Sequence, residues 1–289
     1  MSESKDVPGA TAAGTVSFAD LPVNRLGFGA MRITGEGIWG EPRDVAEAKR
    51  VLERLVELGV TLIDTADSYG PHVSERLIGE TLYPYPRGLV IATKGGFTRS
   101  GPNQWTPDGR PEHLREACDG SLKRLRLERI DVYQLHTVDP KVPLAESIGA
   151  LAALQSEGKI RHIGVSNFSV AQLAEARDMV AVVSVQNRYN LRDRASEPVL
   201  RECERLGIPF LPWAPLGRAK DDGAEKSLGA VAARHGATKG QIAIAALLAR
   251  SAVMLPIPGT SRVAHLEENV AAAGIELSAR DREELGLGG

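Results

Sequence analysis

The sequence predicts a single-domain (β/α)8 barrel, and three observations support this fold class. Eight short apolar runs of strand length recur along the chain. Amphipathic segments with helical spacing separate them. The length of 289 residues, 43% of them hydrophobic, suits a barrel, which folds as one unit of about 250 residues. Alternating strands and helices form right-handed βαβ units, so eight units predict a closed parallel barrel.

The eight predicted strands cover residues 26–31, 61–65, 89–94, 130–136, 162–167, 182–186, 208–213 and 253–257. A helix is predicted over 45–58 because five apolar residues share one face: Val45, Ala48, Val51, Leu52 and Leu55. A second helix ends in "GSLKRLRL" and repeats the spacing with Leu114, Cys118, Leu122 and Leu125.

Charge and composition exclude several classes of protein. The net charge is −2 and both signs are spread along the chain, which argues against a nucleic-acid or membrane-binding face. No run of 18 apolar residues occurs, and Cys118 and Cys203 lack the spacing of a disulfide framework or metal site. We expect a cytoplasmic protein without metal, with a flexible segment at 1–14 and a barrel domain over 15–289.

Two Gly- and Pro-rich loops follow the first and third predicted strands, "RITGEGIWGEPRD" and "GGFTRSGPNQWTPDGR". Loops after barrel strands form the substrate rim, so Trp39 and Trp105 are candidate apolar walls. The alternative, that each Trp packs only its own loop, is equally open at this point. His72 in "YGPH" lies near the same rim and is a candidate substrate contact.

Four chemically active residues stand at or just after the ends of predicted strands: Asp64, Tyr69, Lys94 and His136. Such a set can donate a proton to a carbonyl oxygen, with Tyr69 as the acid. An ammonium about 4 Å away favours phenolate by up to roughly 4 kcal/mol at an effective dielectric of 20, about three pKa units. Lys94 is therefore expected to lower the pKa of Tyr69, while Asp64 orients Lys94. His136 is expected to position the carbonyl.

The motifs "IDTADSYG", "TKGG", "LHTVD", "GVSNF", "VQNRYN" and "PWAPLG" occur in an order that resembles the aldo-keto reductases. The resemblance runs from about residue 26 to 277. It implies that Asp64, Tyr69, Lys94 and His136 are the catalytic tetrad. "FGAM", "YGPHV", "LYPYP" and "IPGTSRVAHLEEN" are similar to pyridoxal reductase-like members of the family.

The cofactor site is not of the Rossmann type, because "GFGAMR" has Arg32 where the third Gly of that fingerprint belongs. The resemblance implies NADPH/NADP+, with Ser166, Asn167 and Gln186 on the carboxamide and Trp213 stacked on the nicotinamide. "PIPGTSRVAHLEEN" opens a helix whose free N–H groups favour a phosphate. The implied set also includes Gly29, Met31, Asp64, Pro215, Leu216, Gly217, Ile257, Gly259, Thr260, Ser261, Arg262, His265, Glu268 and Asn269.

Gly259 and His265 stand where well-known members of the family have Lys and Arg, which weakens the inference of a strict preference for NADPH. The function implied is NADPH-dependent reduction of aldehydes, with pyridoxal as the specific candidate and a small-molecule carbonyl as partner. Three alternatives stay open: a reductase that detoxifies a broad range of carbonyls, the reverse oxidation of an alcohol, and a non-catalytic NADPH-binding subunit. The sequence predicts no oligomeric state.

Overall fold

The structure of the protein is a computed structural model that describes residues 9–217 and 223–287. A curled parallel sheet lies at the centre of the protein. Seven strands of this sheet follow one another in chain order, each parallel to the next. They are β3 Phe28–Gly29, β4 Leu62–Asp64, β5 Val90–Gly95, β8 Ile130–Leu135, β9 Ile160–Ser166, β10 Val182–Arg188 and β11 Phe210–Trp213. The order matches the predicted barrel.

Helices connect successive strands and cover the outer face of the sheet. They are α1 Val45–Glu57, α2 Val73–Leu82, α3 Pro111–Leu125, α4 Leu144–Ser156, α5 Val170–Met179, α6 Glu197–Leu206, α7 Gly223–His235, α8 Lys239–Arg250, α9 Val263–Ala271 and α10 Ala279–Glu284. Short 3₁₀ turns lie at Ala10–Ala13, Ala30–Ile33 and Ala272–Gly274. The two helices predicted in detail are confirmed as α1 and α3, although α1 ends one residue early.

The predicted eighth strand, 253–257, is not a regular strand, yet it closes the barrel. Phe210 N–H donates to Val253 O, Leu255 N–H donates to Phe210 O, and Gly27 N–H donates to Pro256 O. The segment thus bridges β11 and the start of β3. Pro256 has no N–H to donate, so a continuous ladder cannot form there. The first strand is also shorter than the predicted 26–31, because the chain enters a 3₁₀ turn at Ala30.

An antiparallel hairpin that the sequence does not predict covers the end of the barrel where the strands begin. It consists of β1 Thr15–Phe18 and β2 Leu21–Asn24. Phe18 and Val23 share a buried cluster with Leu62 and Val90 in the barrel interior. The hairpin leaves the opposite end, where the strands finish, free for a site.

The segment 1–14, predicted to be flexible, falls partly outside the described residues, which begin at Gly9. Ala10–Ala13 form a 3₁₀ turn, and Ala10 is fully buried. The Ala10 N–H donates to Leu58 O at the end of α1. Packing of the chain therefore begins before residue 15. Burial of small apolar side chains holds these residues against α1.

The loop after β5 folds into a second antiparallel hairpin, β6 Phe97–Gly101 and β7 Gln104–Pro107. This hairpin rises from the end where the parallel strands finish, and it carries Trp105. Side chains alternate along β6, so Phe97 and Arg99 share one face while Thr98 and Ser100 are exposed. The hairpin thus adds a wall to the rim.

In the part of the chain that the structure describes, no helix combines the length and the apolar character that crossing a bilayer requires. Cys118 and Cys203 are free thiols buried within α3 and α6. Burial raises the pKa of each thiol to about 12, so neither is a ready nucleophile.

Candidate active site

A buried lysine lies at the centre of the rim where the parallel strands end. The Lys94 ammonium donates to Asp64 Oδ2 at 2.7 Å and to Thr65 O at 2.8 Å. It lies 3.4 Å from the Tyr69 hydroxyl. Strand pairing produces this meeting, because β4 and β5 are parallel neighbours that end at the same edge. Lys94 is wholly shielded from solvent.

The second carboxylate oxygen of Asp64 is also fully engaged. Gln134 Nε2 donates to Asp64 Oδ1 at 2.9 Å, and Gln186 Nε2 donates to the same oxygen at 2.8 Å. A buried carboxylate is tolerated when its charge is paired and its lone pairs are bonded. Two amides and one ammonium therefore fix Asp64 in place and, through it, Lys94.

Aromatic side chains pack around the buried Tyr69 ring. The Tyr69 ring packs edge-on against His136, with centroids 5.8 Å apart, and against Trp105 at 6.3 Å. Phe97 lies 4.7 Å from the His136 ring and 5.5 Å from Trp105. His136 is itself buried, just past the end of β8. The four predicted tetrad residues thus meet in one pocket, and Trp105 belongs to its wall.

Burial changes the proton affinities in this pocket. The pKa of Tyr69 is raised by burial, which outweighs the opposing effect of the Lys94 ammonium. Lys94 thus acts on the pKa of Tyr69 in the expected downward direction, but the larger effect of burial leaves this pKa above its usual value. The pKa of His136 lies well below its ordinary range, mainly because the ring is buried. The positive charges of Lys94 and Arg99 lower this pKa further, so the imidazole is neutral. The pKa of Lys94 is raised: its burial opposes the charge, but Asp64 more than offsets this.

The other two predicted substrate contacts lie outside this ring cluster. The Trp39 backbone forms a β-bridge with Gly70. The centroid of the Trp39 ring lies 5.7 Å from the central carbon of the Arg99 guanidinium. His72 is exposed at the start of α2, and its backbone is in the left-handed conformation. The backbone N–H of His72 donates to Asp67 O. Neither ring packs against Tyr69 or His136 among the described contacts. Trp39 therefore belongs to the rim and His72 to its outer edge.

The residues expected to hold nicotinamide form a connected polar chain beside the tetrad. Asn167 Nδ2 donates to His136 O at 3.0 Å and to Ser166 Oγ at 3.1 Å. The Trp213 indole N–H donates to Asn167 Oδ1 at 2.9 Å. The Gln186 amide N–H₂ is turned to Asp64 and to Gln134, so its donors are already in use. Ser166, Asn167 and Trp213 thus border the pocket, while Gln186 supports it from below.

The segment expected to clasp a phosphate lies at the start of α9, but two of its backbone donors are occupied. The Arg262 N–H donates to Thr260 Oγ1 at 3.1 Å. The Val263 N–H donates to the Glu47 carboxylate of α1 at 2.9 Å. The prediction of free N–H groups at this terminus is therefore wrong for these two. The Ser261 and Arg262 side chains, with His265, are exposed.

Gly29 and Gly259 have a packing role where β3 meets the segment before α9. A Cβ on Gly259 would stand 2.3 Å from Gly29 O, and a Cβ on Gly29 would stand 2.6 Å from Ile257 O. Only glycine permits this close approach. The two glycines thus set the position of the α9 terminus relative to the barrel rim.

The remaining candidate cofactor residues are divided between rim and core. Ile257, Pro215 and Asn269 are buried, Met31 and Gly217 are half-buried, and Leu216 is exposed. Glu268 accepts a hydrogen bond from the Thr238 hydroxyl at 2.6 Å, which ties it to α8.

Three residues that contribute to the pocket were not predicted from the sequence: Phe97, Arg99 and Gln134. Gln134 could have been found from strand alternation, since it shares the inward face of β8 with Val132. Phe97 and Arg99 lie in the Gly- and Pro-rich loop after the third predicted strand, and the sequence does not predict the hairpin that puts them on one face. No group of three or more His, Cys, Asp or Glu side chains within residues 9–217 and 223–287 could hold a metal ion.

Comparisons with known proteins show the family of the chain. The model of the aldo/keto reductase family matches residues 25–285. The chain belongs to the aldo/keto reductase family. It is 52% identical over 270 residues to an uncharacterized oxidoreductase of Schizosaccharomyces pombe, covering 93% of this chain and 88% of the relative. It is 42% identical over 273 residues to pyridoxine 4-dehydrogenase of Escherichia coli, covering 92% and 95%.

Solved structures of this family share the fold. An aldo/keto reductase from Klebsiella pneumoniae, solved in complex with NADP and acetate, superposes with a TM-score of 0.77 at 27% identity. The superposition covers 94% of this chain and 93% of that one. The barrel expected from the repeating strands and helices is thereby confirmed, as is the resemblance to oxidoreductases of this family.

Proposed function

We propose that this protein reduces small aldehydes with NADPH, and that Tyr69 delivers the proton to the carbonyl oxygen. The observation that carries the proposal is the buried contact between the Tyr69 hydroxyl and the Lys94 ammonium, with Asp64 holding Lys94 from behind. This arrangement serves a proton donor whose conjugate base is stabilised by a fixed charge.

The side chains at the rim fit a nicotinamide dinucleotide. The Ser166 hydroxyl and the Asn167 amide lie beside the tetrad, and the half-buried Trp213 indole is held in place because its N–H donates to Asn167 Oδ1. Exposed Ser261 and Arg262 suit a phosphate. When bound, the nicotinamide supplies the hydride to the carbonyl carbon. The Klebsiella pneumoniae reductase, solved with NADP, supports this choice of cofactor.

Each tetrad residue has a distinct part in the proposed step. Tyr69 is protonated at neutral pH, the form needed to donate, because burial raises its pKa above an already high ordinary value while the Lys94 ammonium opposes that rise. Lys94, charged at neutral pH, stabilises the phenolate that remains after transfer. Neutral His136 donates a hydrogen bond that orients the carbonyl, and Asp64 keeps Lys94 in position.

We propose pyridoxal as the specific substrate. It is a flat, polar aromatic aldehyde, and the pocket presents the rings of Phe97, Trp105 and His136 around Tyr69. The 42% identity to pyridoxine 4-dehydrogenase supports the same substrate class.

We also propose that the protein works in the cytoplasm, because the buried free thiols Cys118 and Cys203 suit a reducing compartment.

A panel of aldehydes assayed with NADPH and with NADH tests this function. We expect pyridoxal to be reduced with a higher kcat/KM than propanal, and NADPH to be used better than NADH. Equal turnover of pyridoxal and propanal would reduce the proposal to a reductase of broad carbonyl scope. Cofactor binding without turnover of any aldehyde would instead indicate a non-catalytic NADPH-binding subunit.

A further inference from the structure

Arg99 on β6 lies between three separate loops of the rim. Its Nε donates to Gln104 O at 2.8 Å, and its Nη1 donates to Ser68 O at 2.7 Å and Ile38 O at 3.0 Å. Its Nη2 donates to Gly37 O at 3.1 Å and Gly101 O at 3.3 Å. One side chain therefore joins the loop after β3, the turn before Tyr69 and the β6–β7 hairpin.

These contacts leave Arg99 no free donor for a substrate. A guanidinium has five N–H groups, and all five point to backbone carbonyls. Within the described residues no carboxylate pairs with Arg99, although it is only half-exposed. An arginine that bound an anionic substrate would keep part of its fork open. The geometry thus favours a role in assembling the rim over a role in binding a charged ligand.

The same guanidinium packs against both tryptophans of the rim. Its central carbon lies 3.6 Å from the centroid of the Trp105 ring and 5.7 Å from that of Trp39. Trp105 in turn contacts the rings of Tyr69 and His136. Arg99 therefore fixes an aromatic wall relative to the proton donor, while Phe97, on the same face of β6, packs on His136.

We infer that Arg99 is a positioning residue that sets selectivity for flat aromatic aldehydes by holding the Trp39 and Trp105 walls in register with Tyr69. The inference rests on the proposed aldehyde reduction and adds a specificity determinant to it. A small aliphatic aldehyde makes little contact with these walls, so its reduction depends on the tetrad rather than on Arg99.

Two variants separate the geometry of Arg99 from its charge. Arg99→Met removes the hydrogen bonds and the charge, while Arg99→Lys keeps the charge but cannot reproduce five donors or the stacked plane. Arg110→Met is a matched control, because Arg110 is an exposed arginine near the same hairpin paired only with Asp108 among the described residues. Each is assayed with NADPH on pyridoxal and on propanal.

We expect Arg99→Met and Arg99→Lys both to reduce the preference for pyridoxal over propanal by about 10-fold or more, mainly through KM. Arg110→Met should leave that preference unchanged. Equal losses on both aldehydes would overturn the inference, because a general defect in folding does not discriminate between substrates. Full recovery in Arg99→Lys would also overturn it, since charge alone would then suffice.

Limited digestion with chymotrypsin tests the same inference without turnover, by following cleavage within residues 97–107. We expect about 10-fold faster cleavage in Arg99→Met than in wild type or Arg110→Met, because the hairpin loses its ties to the neighbouring loops. Unchanged cleavage would overturn the inference. If wild type binds NADPH but reduces no aldehyde, the proposed function fails, and this digestion still decides whether Arg99 holds the rim.

Discussion

Lys94 Nζ lies 2.7 Å from Asp64 Oδ2, and both side chains are almost completely shielded from water. A buried ion pair is costly to desolvate, and replacing such pairs with apolar residues often stabilises a protein. Stability alone therefore does not explain this pair. Its position beneath the Tyr69 hydroxyl points to the chemistry of proton transfer.

We expect Lys94→Met to lower the free energy of unfolding by about 3–5 kcal/mol, because Asp64 is left as a buried charge without its cation. The amides of Gln134 and Gln186 still donate hydrogen bonds to the Asp64 carboxylate, and this keeps the loss of stability within that range. The double variant Asp64→Asn with Lys94→Met should recover part of the loss. Urea unfolding measures both, and a single variant as stable as wild type would contradict the account.

Arg262→Ala should raise KM for NADPH by the equivalent of about 1.5–3 kcal/mol while changing NADH kinetics little, because it removes a charge-assisted partner of the 2′-phosphate. Steady-state kinetics with the two cofactors measures this. Equal losses with NADPH and NADH would show that Arg262 does not contact that phosphate. His265→Ala should have a smaller effect of the same sign.

Glu47→Gln should tighten NADPH binding. The Glu47 carboxylate accepts from the Val263 N–H and thus places a negative charge at the α9 terminus, beside the proposed phosphate site. Removing that charge lowers repulsion, so we expect about a 2- to 5-fold lower Kd for NADPH, following the 0.3–1 kcal/mol typical of charges at helix ends. Glu57→Gln, at the other end of α1, is the control. Weaker binding in Glu47→Gln would contradict this reading.

Trp105→Ala should narrow the preference for pyridoxal over propanal by about 1–3 kcal/mol, and more than Trp39→Ala does. The Trp105 ring contacts Tyr69 and His136, whereas among the described ring contacts Trp39 packs near Arg99 and against neither Tyr69 nor His136. The ratio of kcat/KM values for the two aldehydes measures the effect. A larger change in Trp39→Ala would place the substrate on the other side of the rim.

Asp67→Asn should flatten the dependence of stability on pH. Asp67 is buried, and its Oδ1 has no hydrogen-bond partner among the described residues. Burial, with Glu75 nearby, raises the pKa of Asp67 from 3.8 to about 8. The folded state therefore keeps a proton that the unfolded chain has lost, and the free energy of unfolding falls as pH rises from about 4 to 8. The free energy of unfolding of Asp67→Asn, measured relative to that of wild type, should therefore be higher at pH 8 than at pH 5. Identical pH slopes in urea unfolding would contradict this.

The barrel and the meeting of Asp64, Tyr69, Lys94 and His136 could be predicted because both depend on local patterns. The helical spacing in α1 and α3 identifies the buried faces, and parallel strands bring Asp64, Lys94 and His136 to one edge regardless of detail. The eighth strand was harder, since Pro256 breaks the ladder that its apolar residues suggest.

The parts that the sequence did not reveal depend on contacts between distant segments. Glu47 reaches Val263 across 216 positions, and no local pattern announces that a carboxylate will cap α9. Arg99 stands in a polar loop, and its partners are backbone carbonyls, which every residue possesses. The balance of burial against charge at Tyr69 likewise required the packed structure.

Comparison of Tyr69→Phe with wild type in both NADPH binding and aldehyde turnover tests the role of Tyr69 most directly. The substitution removes only the hydroxyl, so the Kd for NADPH should stay within about 2-fold while kcat falls by about 10²- to 10⁴-fold, the usual contribution of a general acid. A kcat close to that of wild type would contradict the assignment of Tyr69 as the proton donor.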